Sequence, residues 1–283
     1  MIPKRSELHE IFEYETKAAE FAYENSLILP IAVCPEDGYS VKRINDFQFK
    51  CRKKSHRKIY SSLKETIFFR KKICIKEFLH ISYLWLAKVS HTAIKTLTGH
   101  SSKTITRILK IIKEKISNNM QETKVKIGGP GILVQLDESK FGKRKYNRGH
   151  RVEGAWVFAG VEKTELRRCF ALIVEKRDAV TLNNIILQYV LPGSIVVTDG
   201  WKGYSLFKLN NLFVHHWVNH SITFINHEGF NTNTIEGTFN GMKLNIPPKH
   251  RNKKYLKYRL LEFIWRRQNA NSLWSNLINS LRC

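Results

Sequence analysis

The sequence predicts an α/β protein, with a mixed sheet in its C-terminal half and a basic helical region before it. Three observations predict this. From Ile132 onward, short apolar runs alternate with helical patterns and turn residues. Two of those runs close on a carboxylate, at Asp137 and Asp199. The positive charge is gathered upstream of both. Over 283 residues, 48 Lys and Arg face 24 Asp and Glu, for a net +24. Residues 42–115 alone carry 20 basic and 4 acidic side chains, net +16. A solubilising surface would mix its signs, so this concentration points to a polyanion: nucleic acid first, an anionic membrane surface second.

Composition also excludes. There is no run of 18 apolar residues and no signal-peptide core in MIPKRSELHE, so a soluble intracellular chain without a membrane partner is expected. Five cysteines, an odd number without paired spacing, do not make a disulfide framework.

Taken in order, residues 1–33 are an N-terminal helical segment, amphipathic and closed by Pro30. Residues 34–58 follow as a ribbon-like segment. Cys34-Pro35-Glu36-Asp37 and, 17 positions on, Cys51-Arg52-Lys53-Lys54 look like two zinc knuckles. Zinc needs four soft or borderline ligands, and here Asp37 and Lys54 hold the second position of each knuckle. An ammonium does not ligate zinc, so the site is expected to be degenerate and structural zinc is not expected.

Residues 59–120 read as a basic helix-turn-helix. Ile75, Phe78, Leu79, Ser82 and Leu86 share a helical face. Ala93, Ile94 and Leu97 begin a second helix that stops at Gly99, and Ser101 or Ser102 caps a third with Ile105, Ile108, Leu109 and Ile112 inward. That leaves Lys103, Arg107 and Lys110 facing out as DNA contacts. An ordinary helical bundle with a basic surface is the competing reading.

The GGPG at 128–131 breaks the helix, and residues 130–283 read as one domain. Strands at 132–136, 155–161 and 166–174, a helix at 182–190, a strand at 194–198, a helix at 204–209 and a strand at 213–218 give the order of a ribonuclease-H-like mixed sheet. Asp137 and Asp199, 62 positions apart, both close a strand, where side chains project into the crevice of an open sheet. Two carboxylates together there repel unless cations lie between them, and a pair of Mg²⁺ (or Mn²⁺) ions fits such hard oxygen donors. Glu236, 37 positions later, arrives on a helix capped at Asn233, with Lys243 two turns on along the same face.

The stretches LDESKFGKRKYNRGHRVEGAWVFAGVE, PGSIVVTDGWKGY, VNHS, TNTIEGTFNGMK and YRLLEFIWRRQN resemble the transposase domain of the Merlin superfamily and its bacterial insertion-sequence relatives, the ISXO-two-like domain. The likeness runs over about residues 130–270, and the Cys knuckles and helix-turn-helix fit the same family. It implies a DDE enzyme, with Asp137, Asp199 and Glu236 as catalytic residues and metal ligands. Phe239 departs from it, standing where relatives tend to carry Trp, and each knuckle has lost a cysteine.

Glu138 follows Asp137 and on a strand faces the opposite way, so it is left out. Lys140, Lys143, Arg144, Lys145 and Arg148 form a basic loop suited to DNA backbone, and Lys243 suits a phosphate beside the metals. Of the histidines at 215, 216, 220 and 227, only His220, in VNHS, is expected near the site, as a packing or phosphate-contacting group. The segment 258–267 is first a packing helix. The expected function is metal-dependent cleavage and strand transfer at terminal inverted repeats of double-stranded DNA, then joining to target DNA, by a homodimer or higher oligomer, in the nucleus if the host is eukaryotic. Two alternatives stand beside it: a transposase-derived DNA-binding protein that no longer cuts, and a ribonuclease H or resolvase-type nuclease.

Overall fold

The computed structural model describes residues 2–69, 73–123, 125–142, 154–207, 211–218 and 229–282, the side chains of 121–123 aside. The chain divides into two compact units, residues 1–116 with 269–283, and residues 117–268.

In the first unit, helices α1 (His9–Glu13) and α2 (Glu15–Glu24) precede a small antiparallel sheet of β1 (Val41–Arg43), β2 (Gln48–Cys51) and β3 (Ile59–Ser61). Helices α3 (Ile75–Leu86), α4 (His91–Thr98) and the start of α5 (Ser102–Thr123) follow. α3 is the hub, because eight of its twelve residues are buried and so it packs on several sides at once. Its start is held by Glu15, whose carboxylate accepts from the backbone N–H of Ile75 (2.9 Å) and Lys76 (3.0 Å), placing negative charge at a helix N-terminus. Ser90 caps α4 by accepting from Ala93 N–H, and Gly99 at φ +69° ends it. Between Ser101 and Ser102, it is Ser101 that accepts from Thr104 N–H and opens α5. Ile105, Ile108, Ile112 and Ile116 then point inward, whereas Leu97 is 62% exposed and leaves Ile94 as the buried anchor of α4.

The fourth corner of the ribbon-like segment differs from the expectation. Lys54 is exposed, and the chain turns back on Lys53, whose carbonyl accepts from the N–H of both His56 and Arg57. His56, not Lys54, therefore faces Cys34 and Asp37.

The second unit is built on a sheet ordered β10-β9-β5-β6-β7, with a short pair of β4 (Ile127–Gly128) and β8 (Val190–Leu191) beside it. β5 (Leu133–Phe141), β6 (Ala155–Glu162) and β7 (Cys169–Val174) are antiparallel neighbours. β9 (Ile195–Asp199) and β10 (Val214–Val218) add in parallel. This mixed α/β arrangement is consistent with a ribonuclease-H-like domain. Helix α6 (Ala179–Tyr189) covers one face, where Leu136, Phe158, Leu182, Ile186, Val196 and Tyr204 are buried together. Helices α7 (Asn233–Asn245) and α8 (Lys253–Gln268) cover the other, on Phe141, Ala159, Ile235, Phe239, Met242 and Leu260. Each such large apolar side chain contributes about 1.5–3 kcal/mol by leaving water. Helix α9 (Leu273–Leu281) falls in the first unit.

Three elements differ in extent from the sequence reading. β5 continues to Phe141, because residues 137–141 stay paired with β6, so Asp137 sits in mid-strand rather than at the end. β7 begins at Cys169, since Arg167 at φ +45° is still in the hairpin turn. The helix expected at 204–209 is, over its described part, the end of a 3₁₀ turn at Lys202–Tyr204 followed by a turn at 205–206, with no α-helix. Burying both Tyr204 and Phe207, three apart, suits the tighter period.

Candidate active site

β5 and β9 run parallel with Leu133 opposite Ile195, Val134 opposite Val196 and Gln135 opposite Val197. Continuing that register by two residues sets Asp137 beside Asp199. Paired residues on parallel strands share a face, and neighbouring strands lie about 4.8 Å apart. Both aspartates are half-buried. β9 ends at Asp199 while β5 runs on, so the two acids meet at the edge of β9. The turn after Asp199 is tied to it, as Trp201 N–H donates to its Oδ1 at 3.1 Å.

Helix α7 is fixed to the same face of β5 on both sides of Asp137. Gln135, 1% exposed, accepts from Ile235 N–H at 3.0 Å and donates to the Asn231 carbonyl at 2.7 Å. Lys243 Nζ donates to Ser139 Oγ at 2.7 Å, and Phe239 packs on Phe141. Glu236 is exposed on this helix, three residues before Phe239 and seven before Lys243, in the stripe that faces β5. Its Oε1 accepts from the Thr232 hydroxyl at 3.0 Å. Burial lowers the pKa of Lys243 and nearby Arg251 lowers it further, while Asp137 works the other way.

The register thus brings Asp137 and Asp199 together, while Glu236, on α7, is bonded to Thr232. Among the described residues, the one group of three or more His, Cys, Asp or Glu ligand atoms lying within 4.8 Å of one another is Cys34, Asp37, Cys51 and His56, in the first unit. The two aspartates and Glu236 form no such group in this geometry. Their donors are all hard carboxylate oxygens, a set that fits Mg²⁺ or Mn²⁺ better than zinc.

On the opposite face of β5, Glu138 is buried under Tyr204, whose hydroxyl donates to it at 2.6 Å. Burial pushes the Glu138 carboxyl up to about 7, with Asp137 and Asp199 adding to the rise and the Tyr204 bond and Arg177 opposing it. Arg177 lies 3.9 Å from the carboxylate and stacks 3.6 Å above the Trp156 ring. Sequence reasoning passed over Gln135, which positions α7. Its signal was a polar residue inside the apolar run of β5, between Val134 and Leu136.

Lys103, Arg107 and Lys110 are exposed along α5, with Lys110 3.6 Å from Glu114. Lys140 is exposed, and its ammonium lies 5.8 Å from the Trp156 ring centre. Lys143, Arg144, Lys145, Arg148 and His220 lie outside the described residues. His215 lies 2.9 Å from the buried Thr198 hydroxyl, and His216 packs on Phe230. No helix among the described residues is long and apolar enough to cross a membrane.

None of the curated proteins matches the chain. A family model does, over residues 127–268, the region that holds the five-stranded sheet, both aspartates and α7. The chain belongs to the family of the ISXO2-like transposase domain.

Proposed function

We propose that the protein is a DDE-type transposase of the Merlin superfamily, cutting double-stranded DNA at the terminal inverted repeats of its element and joining the freed ends to target DNA. Membership of the transposase family makes DNA the partner. The observation that supports the reaction is the shared register of Asp137 and Asp199 on adjacent parallel strands, and Glu236 lies on α7, the helix that packs on that side of the sheet.

In this reading Asp137, Asp199 and Glu236 hold two Mg²⁺ or Mn²⁺ ions. When bound, such ions supply charge neutralisation at the phosphodiester and a lower pKa for the attacking oxygen. To serve as the third ligand, Glu236 would have to exchange the Thr232 hydroxyl for the ions. Lys243, steadied by Ser139, offers a cation to a DNA phosphate next to Asp137. Lys140 adds backbone contact at the far end of β5. The pair α4–α5, joined through Gly99, acts as the helix-turn-helix, with Lys103, Arg107 and Lys110 toward DNA. Pairing two ends calls for at least a dimer.

The test is cleavage of duplex DNA carrying the element's own ends, by the full chain with Mg²⁺ or Mn²⁺. Asp199→Asn should lower the rate by about 10³-fold or more, since a carboxylate that holds a catalytic ion is worth several kcal/mol at the transition state, while leaving binding to the ends in place. Cleavage by this variant at the wild-type rate would overturn the assignment. Metal-independent binding of the ends without nicking by the wild-type chain would identify a DNA-binding protein instead.

A further inference from the structure

We propose that the ribbon-like segment holds one structural Zn²⁺ ion, ligated by Cys34 Sγ, Asp37 Oδ, Cys51 Sγ and His56 Nδ1. Asp37, at the second position of the first knuckle, and His56, which the CxxC pattern does not anticipate, complete the two knuckles that look incomplete in sequence.

Geometry carries the proposal. Zinc bonds of about 2.0–2.3 Å in a tetrahedron set its ligand atoms about 3.3–3.8 Å apart. His56 Nδ1 lies 3.6 Å from Cys34 Sγ and 3.2 Å from Asp37 Oδ2. Cys51 Sγ lies 3.8 and 3.9 Å from the two Asp37 oxygens. All four ligand atoms lie within 4.8 Å of one another. Cys34 and Cys51 are 1% and 2% exposed, so the sulfurs are shielded while Asp37 and His56 close the outer side.

The surroundings are those that orient zinc ligands. His56 turns its other nitrogen, Nε2, to Glu36 at 2.8 Å, and Glu36 is itself gripped by Lys58 at 2.8 and 3.0 Å. A carboxylate on the far side of the ring fixes the tautomer that leaves Nδ1 free to bind a metal. Tyr60 Oη lies 3.2 Å from Cys34 Sγ, where its hydroxyl can donate to a thiolate. The Asp37 carboxylate also receives Tyr39 N–H, which holds the first knuckle in its turn. Binding releases the two thiol protons. The resulting complex of two thiolates, one carboxylate, a neutral imidazole and Zn²⁺ carries a net charge of about −1, set among Lys53 and Lys58.

The segment also needs a cross-link. Across residues 31–62 the buried apolar side chains are Cys34, Phe49 and Cys51, far too few to hold three strands of three or four residues each. A fold without its own core is stabilised by a metal or a disulfide.

The experiment measures metal on the purified full chain, without DNA, so it stands or falls apart from the cleavage reading. Elemental analysis after extensive dialysis should find about one zinc per chain, unchanged in Asp199→Asn. Cobalt in its place should show the intense visible bands of a tetrahedral site with sulfur-to-metal charge transfer. His56→Ala should lower zinc affinity by at least about 10-fold. His56→Cys should keep the stoichiometry and strengthen the charge-transfer band, which a variant that merely misfolds cannot do. Lys54→Ala should keep full occupancy. A wild-type chain without zinc, a Cys34–Cys51 disulfide found by mass analysis, or His56→Ala binding zinc as tightly as wild type would each overturn the proposal.

Discussion

Replacing Gln135 by Leu tests whether α7 is held in place from the strand beneath it. α7 begins at Asn233, and its N-cap residue, Thr232, makes no side-chain cap bond. The amide of Ile235 is thus one of the donors that a helix start leaves without an intrahelical partner, and the Gln135 side chain satisfies it from β5 at 3.0 Å. The same side chain donates to the Asn231 carbonyl at 2.7 Å. Leucine fills nearly the same volume, so the change opens little cavity and isolates the polar loss. Leaving a buried amide unsatisfied costs about 1–3 kcal/mol, and losing the bond to the partly buried carbonyl adds about 1 kcal/mol. Added hydrophobicity returns part of this, for a net destabilisation of roughly 2–3 kcal/mol, or a fall in Tm on the order of 5–10 °C for a unit of this size. Urea titration followed by tryptophan fluorescence measures the first quantity and calorimetry the second. Because α7 carries Glu236 and Lys243, DNA cleavage should fall further than unfolding accounts for at a temperature where the variant is fully folded. A variant as stable as wild type, with unchanged cleavage, would show that Gln135 does not hold the helix.

Glu162, 1% exposed, reports on acid stability. Burial opposes its ionisation, but the Arg168 guanidinium at 2.8 Å, Gly128 N–H at 3.1 Å and the Thr164 hydroxyl at 2.8 Å outweigh it and hold the carboxyl below its usual range. A folded pKa below the unfolded one adds stability above about pH 4.3 that is lost as pH falls through the folded value. Glu162→Gln should therefore destabilise the domain at pH 7 by about 1–3 kcal/mol and flatten its stability profile below about pH 5, as read by urea melts across pH; an unchanged profile would contradict this. Gly160→Ala should cost about 1–3 kcal/mol, since a Cβ there would meet the Phe170 ring at 2.4 Å and Leu136 at 2.6 Å, and thermal melting would reveal any tolerance.

The succession of strands and helices along residues 132–218 was legible, whereas the order of the strands within the sheet was not. Apolar runs such as residues 155–161 give strands because a short, continuous apolar stretch bounded by turn residues suits a strand covered on both faces, and β6 is buried at every position but Trp156. The end of β5 was not legible. Residues 137–141, DESKF, read as the start of a polar loop, yet pairing with β6 keeps them extended, with Ser139 and Phe141 meeting α7 and Glu138 meeting Tyr204. Tertiary partners decided what local polarity could not. The fourth corner of the ribbon failed in the same way, for motif spacing pointed to Lys54, whereas the turn at Lys53 delivers His56.

The same strand explains why two adjacent carboxylates have different fates. Alternation sends Asp137 to the α7 face and Glu138 to the α6 face, so neighbours in sequence sit in unlike surroundings. Glu138 is enclosed, bonded to a buried tyrosine hydroxyl, and raised to about 7 by that enclosure. It is therefore largely neutral in mildly acidic solution, and it lies on the face away from Lys243. Asp137 stays half-exposed, in register with Asp199 and near a lysine that its own charge helps to keep protonated. A carboxylate serves a hard cation only if it is ionised and reachable, and of the two, Asp137 is the one the sheet leaves open to solvent and to the crevice at the end of β9. Shifting the register of β5 by one residue would exchange the two faces. The hydrophobic pattern forbids it, because Val134 and Leu136 would then lose the α6 core and Phe141 its contact with Phe239.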